Sequence, residues 1–197
     1  DQIDPHTGKR RIDTAFPHEL RRSTNENEMM IEFKCGSTWQ LAGSDNYNAM
    51  MGTSYAGMVF SEYALGNPSA WGYFSPILAE NNGWAMFITT PRGHNHAEAM
   101  LKVAQANPDW FWECLRADET GVFTPEQLQE ELRTLQGIHG EQFGRAMWMQ
   151  EYFVSFDAAI PGSIFGEEID TARANGRIGV VPHDPTLPVH TGWDLGR

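Results

Sequence analysis

The chain lacks the features that mark several large classes of protein. It has 197 residues but only two cysteines, Cys35 and Cys114, with no histidines near them at the spacing of a metal site. No apolar run approaches the ~20 residues that a membrane-spanning helix needs. The first residues, Asp1–Pro5, are polar and contain no apolar core of the kind found in signal peptides. These absences favour a chain that works in a reducing, cytosolic compartment.

Positive charge is scarce as well. The 14 Lys and Arg residues stand against 26 Asp and Glu residues, which gives a net charge of −12. Such a surface repels the phosphates of nucleic acids, so the chain is not expected to coat DNA or RNA by itself. The basic residues cluster at Lys9–Arg11 and Arg21–Arg22, and a solvated surface is the simplest interpretation of both clusters.

A phosphate-binding loop of the form Gly-x-x-x-x-Gly-Lys-Ser/Thr is also missing from these residues. The only Gly-Lys pair, Gly8-Lys9, has Ile3 where the first glycine belongs and Arg10 where the hydroxyl belongs. The chain is therefore not expected to cradle the phosphates of ATP in the usual way by itself.

The sequence does contain a regular alternation of apolar runs and helical patterns. The first run, Gly57–Phe60, is bounded by turn-forming residues and predicts a strand that is buried on both faces. The alternating strands and helices are Gly57–Phe60, Ser69–Ala79 with Ser69 as N-cap, Trp84–Ile88, His96–Ala106 and Trp110–Leu115. This order is typical of α/β proteins with a parallel sheet.

Other patterns predict elements on either side of this region. Before it, two short runs, Met29–Phe33 and Thr38–Ala42, predict a β-hairpin. After it, Thr124–Gln127 has the sequence of a helix start, with a threonine N-cap, a proline at the first helical position and a glutamine at the third. Helices are predicted from there to about Gln136, and at Gly140–Phe153 and Gly166–Ala174.

The chemistry is concentrated where the Gly57–Phe60 strand ends, in Ser61-Glu62. In nucleotide-hydrolysing sheets, one strand-end carboxylate holds Mg²⁺ through its water shell, and the glutamate next to it polarises the attacking water. Glu62 falls in the water-activating position. Ser61 replaces the usual aspartate and can hydrogen-bond a magnesium-bound water without bringing charge. The alternative interpretation is a strand-end glutamate that caps a helix or faces solvent.

The next apolar strand ends in a second polar group. Thr89 and Thr90 follow Trp84–Ile88, and Pro91 prevents the strand from continuing, which exposes both hydroxyls. Hydroxyls at a strand tip can sense a γ-phosphate and transmit its loss to a neighbouring element. The other interpretation is an ordinary threonine-rich strand end.

These residues, in this order, resemble the large terminase subunit of tailed bacteriophages, the motor that packages DNA into the procapsid. The resemblance runs from about Phe16 to Leu195. The stretches that carry it are GSDNY at 43–47, GMVFSEYAL at 57–65, ILAENNGWAMFITTPRG at 77–93, QEYFVSFDAAIPG at 150–162 and HTGWDLG at 190–196. Five separated matches in family order are more specific than any one of them.

The resemblance implies a role for each candidate residue. Glu62 would be the catalytic glutamate of the Walker B motif, with Ser61 in its metal-side position. Thr89 and Thr90 would lie at the nucleotide and form the motif that couples hydrolysis to DNA movement. Asp194 would be the first metal-binding aspartate of an RNase H-like nuclease domain. A lone aspartate cannot assemble a two-metal site, so nuclease activity of this chain is not expected.

The resemblance also implies the fold and its domains. It predicts part of a P-loop NTPase of the ASCE type, an α/β fold in which helices flank a parallel sheet, followed by a small, mainly helical linker subdomain. The ATPase part would occupy residues 1–118, the linker subdomain 119–188 and the start of the nuclease domain 189–197. The Walker A loop is expected upstream of residue 1 and the other nuclease carboxylates after residue 197, so an internal piece of a terminase is predicted.

The implied cofactors are ATP and Mg²⁺, with a divalent ion for the nuclease of the parent protein. The implied partners are double-stranded viral DNA, the portal protein, the small terminase subunit and other copies in a homo-oligomeric ring, in the cytoplasm of the bacterial host and away from membranes. One alternative is a catalytically inactive, truncated remnant that acts only as a protein-binding module. Another is a superfamily 2 helicase core, which usually keeps Asp-Glu where this chain has Ser61-Glu62 and has no place for Trp193–Gly196.

Overall fold

The structure, a computed structural model, describes residues 3–43, 50, 52–157, 166–180, 182, 185, 186 and 188. Contacts within the chain divide it into two compact units, Asp1–Thr90 and Pro91–Arg197. The predicted start of a nuclease domain at 189–197, including Asp194, lies outside the described residues. The domain limits predicted at residues 118 and 188 stay predictions.

An antiparallel meander forms the first part of the first unit. Helix α1 (Arg11–Ala15) and a 3₁₀ turn (His18–Leu20) lead into strand β1 (Arg21–Asn25). Strand β2 (Met30–Phe33) pairs with β1 on one side and with β3 (Thr38–Gln40) on the other, both antiparallel. The predicted hairpin is therefore confirmed in β2 and β3.

The meander closes over a small apolar core. Ile31, in the central strand, is 1% exposed. The ring of Phe16, just after α1, lies 5.6 Å from that of Phe33 and 4.7 Å from that of Trp39, measured between centroids. The end of α1 is thus held against the sheet by aromatic packing.

Arg21 corrects one expectation from the sequence, because its side chain is only 7% exposed. Its guanidinium donates to the carbonyl oxygens of Phe16 at 2.7 Å and Ile12 at 3.1 Å, and to the carboxylate of Asp13 at 2.7 Å. A charged group can be buried only when its donors are paired in this way. Arg21 is an internal link between α1 and β1, and not part of a solvated basic surface.

A parallel pair of strands forms the second part of the first unit. Strands β4 (Gly57–Ser61) and β5 (Trp84–Ile88) pair in register, from Gly57 opposite Trp84 to Ser61 opposite Ile88. Helix α2 (Ser69–Glu80) connects them. Both strands and the helix were predicted, but the predicted N-cap at Ser69 is wrong. Pro68 occupies the N-cap, and the side chain of Asn67 accepts the Ser69 N–H at 2.9 Å.

Helix α2 covers one face of this pair. Phe60 of β4 and Phe87 of β5 stack with their ring centroids 5.0 Å apart. Phe74, from the buried side of α2, is 2% exposed and lies 6.3 Å from the Phe60 ring. This contact fixes the strand ends relative to the helix.

The opposite face of the pair is open. Its large apolar side chains are all half exposed, at 50–56%: Val59, Trp84, Met86 and Ile88. Trp84 lies across Gly57, where an added Cβ would be 2.2 Å from the indole. The prediction that the Gly57–Phe60 strand is buried on both faces is therefore wrong, because α2 covers only one of them.

Helices dominate the second unit. They are α3 (His96–Ala106), α4 (Ala117–Thr120), α5 (Pro125–His139), α6 (Glu141–Phe153) and α7 (Gly166–Ala174). Ala117, Leu128 and Trp148 form a buried cluster, and the Trp148 indole N–H donates to the Leu128 carbonyl at 2.8 Å. The strand predicted at Trp110–Leu115 is wrong, because this segment pairs with no strand in the part of the chain that the structure describes, and Phe111 in it is 87% exposed.

Helices α5 and α6 form a tight hairpin. The predicted capping box is confirmed, since the Thr124 hydroxyl accepts the Gln127 N–H and the Gln127 side chain accepts the Thr124 N–H. Gly140 joins the helices at φ 85°. At Gly144 the helices approach so closely that an added Cβ would be 2.5 Å from the backbone of Gln136.

The predicted α/β class is confirmed by the parallel pair with its flanking helices. The second unit is mainly helical. In the part of the chain that the structure describes, no helix is both long and apolar enough to cross a membrane.

Candidate functional site

Ser61 and Glu62 lie at the carboxyl end of β4. Ser61 is the last residue of the strand and is paired with Ile88. Glu62 has φ 52° and ψ 46°, a left-handed conformation that costs a residue with a side chain roughly 1–2 kcal/mol. Its carbonyl accepts the Leu65 N–H at 2.9 Å, so the chain turns as soon as the strand ends. The Glu62 side chain is left exposed at the tip.

The residues after Glu62 anchor this turn in the core. Tyr63 and Ala64 are only 4% and 7% exposed. The Tyr63 ring lies 4.7 Å from that of Phe87 and 5.8 Å from that of Phe60, and burial raises the pKa of its phenol. Glu62 is therefore an exposed carboxylate between a strand and a buried turn, both of which restrict its backbone.

Thr89 links this turn to the tip of the neighbouring strand. Its hydroxyl oxygen accepts the backbone N–H of Ala64 at 2.9 Å and donates to the carbonyl of Thr90 at 3.0 Å. Thr90 is half-buried beside it. The tips of β4 and β5 are joined by a side chain as well as by the strand pairing.

The structure brings the predicted residues Ser61, Glu62, Thr89 and Thr90 to one end of the parallel pair. Parallel α/β sheets bind their ligands at the carboxyl ends of the strands. Asp194, the predicted nuclease ligand, lies outside the described residues.

The four predicted residues at this end carry oxygen donors: three hydroxyls and one carboxylate. Such donors suit Mg²⁺, which keeps several waters and is commonly held by one or two carboxylates together with phosphate oxygens. Within residues 3–43, 52–157 and the other described positions, no group of three or more His, Cys, Asp and Glu side chains is placed to hold a metal. Magnesium at this site would therefore depend on water and on the nucleotide for most of its ligands.

Two features of the site were not predicted from the sequence. The left-handed conformation of Glu62 has no local signal, because glycine or asparagine is the usual residue for that conformation and glutamate is not. The hydrogen bond from Ala64 to Thr89 joins residues 25 positions apart, and only the pairing of β4 with β5 brings them together.

Similar solved structures include the ATPase domain of the large terminase of Thermus phage P74-26 and a point mutant of that domain. For the mutant, the TM-score is 0.43 and the identity 18%, over 74% of this chain and 67% of the other. For the other structure, the TM-score is 0.44 and the identity 16%, over 74% and 66%. The chain matches no protein-family model and no curated protein. These values are too low to assign the chain to a family.

Proposed function

We propose that the chain forms part of the ATP-hydrolysing core of a large terminase subunit and that Glu62 activates the attacking water. The five sequence stretches that resemble this family support the assignment. One structural observation supports the site: Glu62 is held in a left-handed turn at a parallel-strand tip, and Thr89 hydrogen-bonds that turn to the neighbouring tip.

In the proposed reaction, the Glu62 carboxylate accepts a proton from a water molecule while the water oxygen attacks the γ-phosphorus of ATP. A bond forms between that oxygen and the phosphorus, the bond from the phosphorus to the bridging oxygen breaks, and ADP leaves with its electron pair. The Ser61 hydroxyl would hold a water of the Mg²⁺ shell. The metal supplies charge neutralisation when it is bound.

Thr89 has a positioning role in this proposal. Its hydroxyl holds the Ala64 N–H, two residues beyond Glu62. A change at the Thr89–Thr90 tip when the γ-phosphate is lost would therefore reach the turn that carries the carboxylate. Through this hydrogen bond, Thr89 could couple the loss of the γ-phosphate to a movement of the turn after Glu62.

Phosphate binding needs a partner element, because the sequence contains no Gly-rich loop with a Lys-Ser/Thr ending. We expect the 197 residues alone to hydrolyse ATP at no more than the background rate. The roles of double-stranded DNA, the portal protein, the small terminase subunit and a homo-oligomeric ring belong to the same proposal, as does a metal-binding role for Asp194 in a nuclease.

The test is Mg²⁺-dependent ATP hydrolysis by the product of the gene that encodes these residues. Glu62→Gln keeps the size of the side chain and removes its basicity, so the rate should fall by ~100-fold or more. Glu80→Gln, at the exposed end of α2, is the matched control and should leave the rate unchanged. A Glu62→Gln rate within about twofold of the unchanged protein would overturn the assignment of Glu62.

The missing phosphate loop favours a second candidate, a protein-binding module without catalysis. Titration of the chain with a non-hydrolysable ATP analogue tests this second candidate. Binding tighter than roughly millimolar contradicts the module, since it would need about 4 kcal/mol of specific interaction.

A further inference from the structure

The second unit contains a groove that shares no residue with the proposed ATPase site. It lies between the segment that contains α4 and the last turn of α6, and its volume is about 390 Å³. That size falls within the range of ~300–1,000 Å³ that is typical of binding pockets in proteins. Its walls carry the apolar side chains of Leu115, Val122 and Phe123 together with Tyr152 and Glu151.

The apolar walls of the groove are open to water. Val122 is 72% exposed and Leu115 is 61% exposed, although both are large aliphatic residues. A rigid wall stands beside them, because Phe123 packs edge-on against Tyr152 at 5.5 Å and the Tyr152 hydroxyl donates to Glu131 at 3.2 Å. Exposed apolar residues against a fixed aromatic wall are typical of a binding surface.

Acidic residues line the groove or neighbour its lining residues. Glu151 lines it, Glu131 accepts the hydrogen bond of the lining residue Tyr152, and Asp118 and Glu119 lie on α4 between the lining residues Ala117 and Thr120. Two arginines form ion pairs with three of these four carboxylates. Arg92 pairs with Glu151, and Arg116 pairs with Asp118 and Glu119.

The carboxylates in and beside the groove therefore outnumber the guanidinium groups that pair with them. Burial raises the pKa of Tyr152, and the nearby charges of Glu131 and Glu151 raise it further. Both Arg92 and Gln150 donate to the Oε1 atom of Glu151. No donor among the described residues reaches its Oε2 atom, which can accept a hydrogen bond from a bound cation.

We propose that this groove binds a short segment of a partner protein in which one or two large apolar side chains are flanked by lysine or arginine. The apolar side chains would cover Leu115 and Val122, and the cation would bind Glu151. Charge complementarity selects this occupant over nucleic acid, whose phosphates the carboxylates in and beside the groove repel. The proposal does not depend on ATP hydrolysis, so it can stand or fall independently of Glu62.

The probe is a short fluorescein-labelled peptide with two leucines between lysines, titrated with the whole chain and followed by fluorescence anisotropy. Saturable binding is expected. Val122→Asn should weaken it several-fold, because it replaces apolar contact surface with an amide that loses hydration when the peptide covers it, and it leaves the charge of the groove unchanged. Val103→Asn is the matched control, since Val103 is also exposed, at 52%, but lies on α3 and not in the groove.

The charge requirement has its own variants. Glu151→Gln should weaken the peptide several-fold, whereas Glu141→Gln, on the exposed first turn of α6, should not. Circular dichroism checks that each variant keeps its helices. The proposal is overturned by absence of peptide binding, by equal binding of a peptide with glutamates in place of the lysines, by competition from duplex DNA, or by unchanged binding to Val122→Asn.

Discussion

Glu62 adopts a backbone conformation that its own side chain disfavours. Met29, Asn82 and Val154 also have positive φ among the described residues, but of these four only Glu62 follows a parallel strand. Such conformations persist only when the surrounding structure enforces them, and they are frequent at functional sites. Here the buried turn after Glu62 and the Thr89 hydroxyl provide that constraint.

The strain at Glu62 predicts opposite effects on stability and on activity. Glu62→Gly should release ~1–2 kcal/mol of left-handed strain, which exceeds the ~0.5–1 kcal/mol that glycine loses in chain entropy. The free energy of unfolding of the chain should therefore rise by about 0.5–1 kcal/mol in urea titrations, while ATP hydrolysis by the gene product is lost. Glu62→Ala keeps the Cβ and should show no such gain. If the glycine variant has no higher free energy of unfolding than the alanine variant, the backbone of Glu62 is not strained.

The Thr89 hydroxyl predicts a second effect. Thr89→Val keeps the shape of the side chain but leaves the Ala64 N–H without its acceptor, which should lower the free energy of unfolding by about 1–2 kcal/mol. Thr89→Ser keeps the hydroxyl and should lose much less. Hydrogen exchange of the Ala64 amide is the direct measurement: it should accelerate in the valine variant, and equal rates in both variants would exclude the bond.

The sequence was sufficient to place the candidate residues but not to describe how they are held. Ser61, Glu62, Thr89 and Thr90 follow two apolar runs, and parallel strands bring their carboxyl ends to the same edge. Burial of Tyr63 and the link from Thr89 to Ala64 depend on contacts between distant positions, so no local pattern encodes them.

At the scale of elements, the α5–α6 hairpin depends on one glycine. A Cβ at Gly144 would lie 2.5 Å from the backbone of Gln136 and Leu135, so the two helices would have to separate. Trp148 and Leu128, which join the helices through a buried hydrogen bond, lie in the same interface.

This geometry predicts opposite signs for the same substitution at two glycines. Gly144→Ala should lower the free energy of unfolding by ~1–3 kcal/mol or more, since backbone atoms cannot yield as side chains do. Gly137→Ala, where a Cβ would meet nothing within 4 Å, should raise it by about 0.5–1 kcal/mol through helix propensity. Thermal unfolding of both variants measures the contrast. If both substitutions change the unfolding temperature in the same direction, the helices do not approach each other as closely at Gly144 as described.

Elements with complete local signals were predicted well, and those that depend on pairing were not. Helix α3 was predicted at His96–Ala106 and ends where it was expected to, before Asn107-Pro108. Strand β1 was missed because Arg21–Asn25 is polar, and only its pairing with β2 makes it a strand. Trp110–Leu115 has the apolar content of a strand, but none of the strands that the structure describes pairs with it.

At the scale of the whole molecule, acidic groups held by cations set the response to pH. Asp13 has a lowered pKa because Arg21 hydrogen-bonds it, Glu98 because Lys102 and then His94 do, and Asp118 because Arg116 does. The folded chain therefore releases these protons at lower pH than the unfolded chain. Their contribution to stability is complete above the ordinary carboxyl range and is lost as the pH falls through the lowered values.

The chain should accordingly lose stability in acid. The urea midpoint is expected to hold near neutral pH and to fall progressively below about pH 4.5. Asp13→Asn should flatten this dependence, because it removes one proton-binding group whose pKa differs between the two states. A midpoint that does not change between neutral pH and about pH 3 would contradict the shifted pKa values.

The open face of β4 and β5 determines how the chain behaves when it is purified. Val59, Trp84, Met86 and Ile88 form an apolar strip on a two-stranded sheet, and no other strand among the described residues pairs with its outer edges. Strips of this kind adsorb dyes such as anilinonaphthalene sulfonate and recruit further strands. Solutions of the chain should therefore become turbid as they are concentrated. A single polar replacement at Met86 should raise the concentration at which turbidity appears.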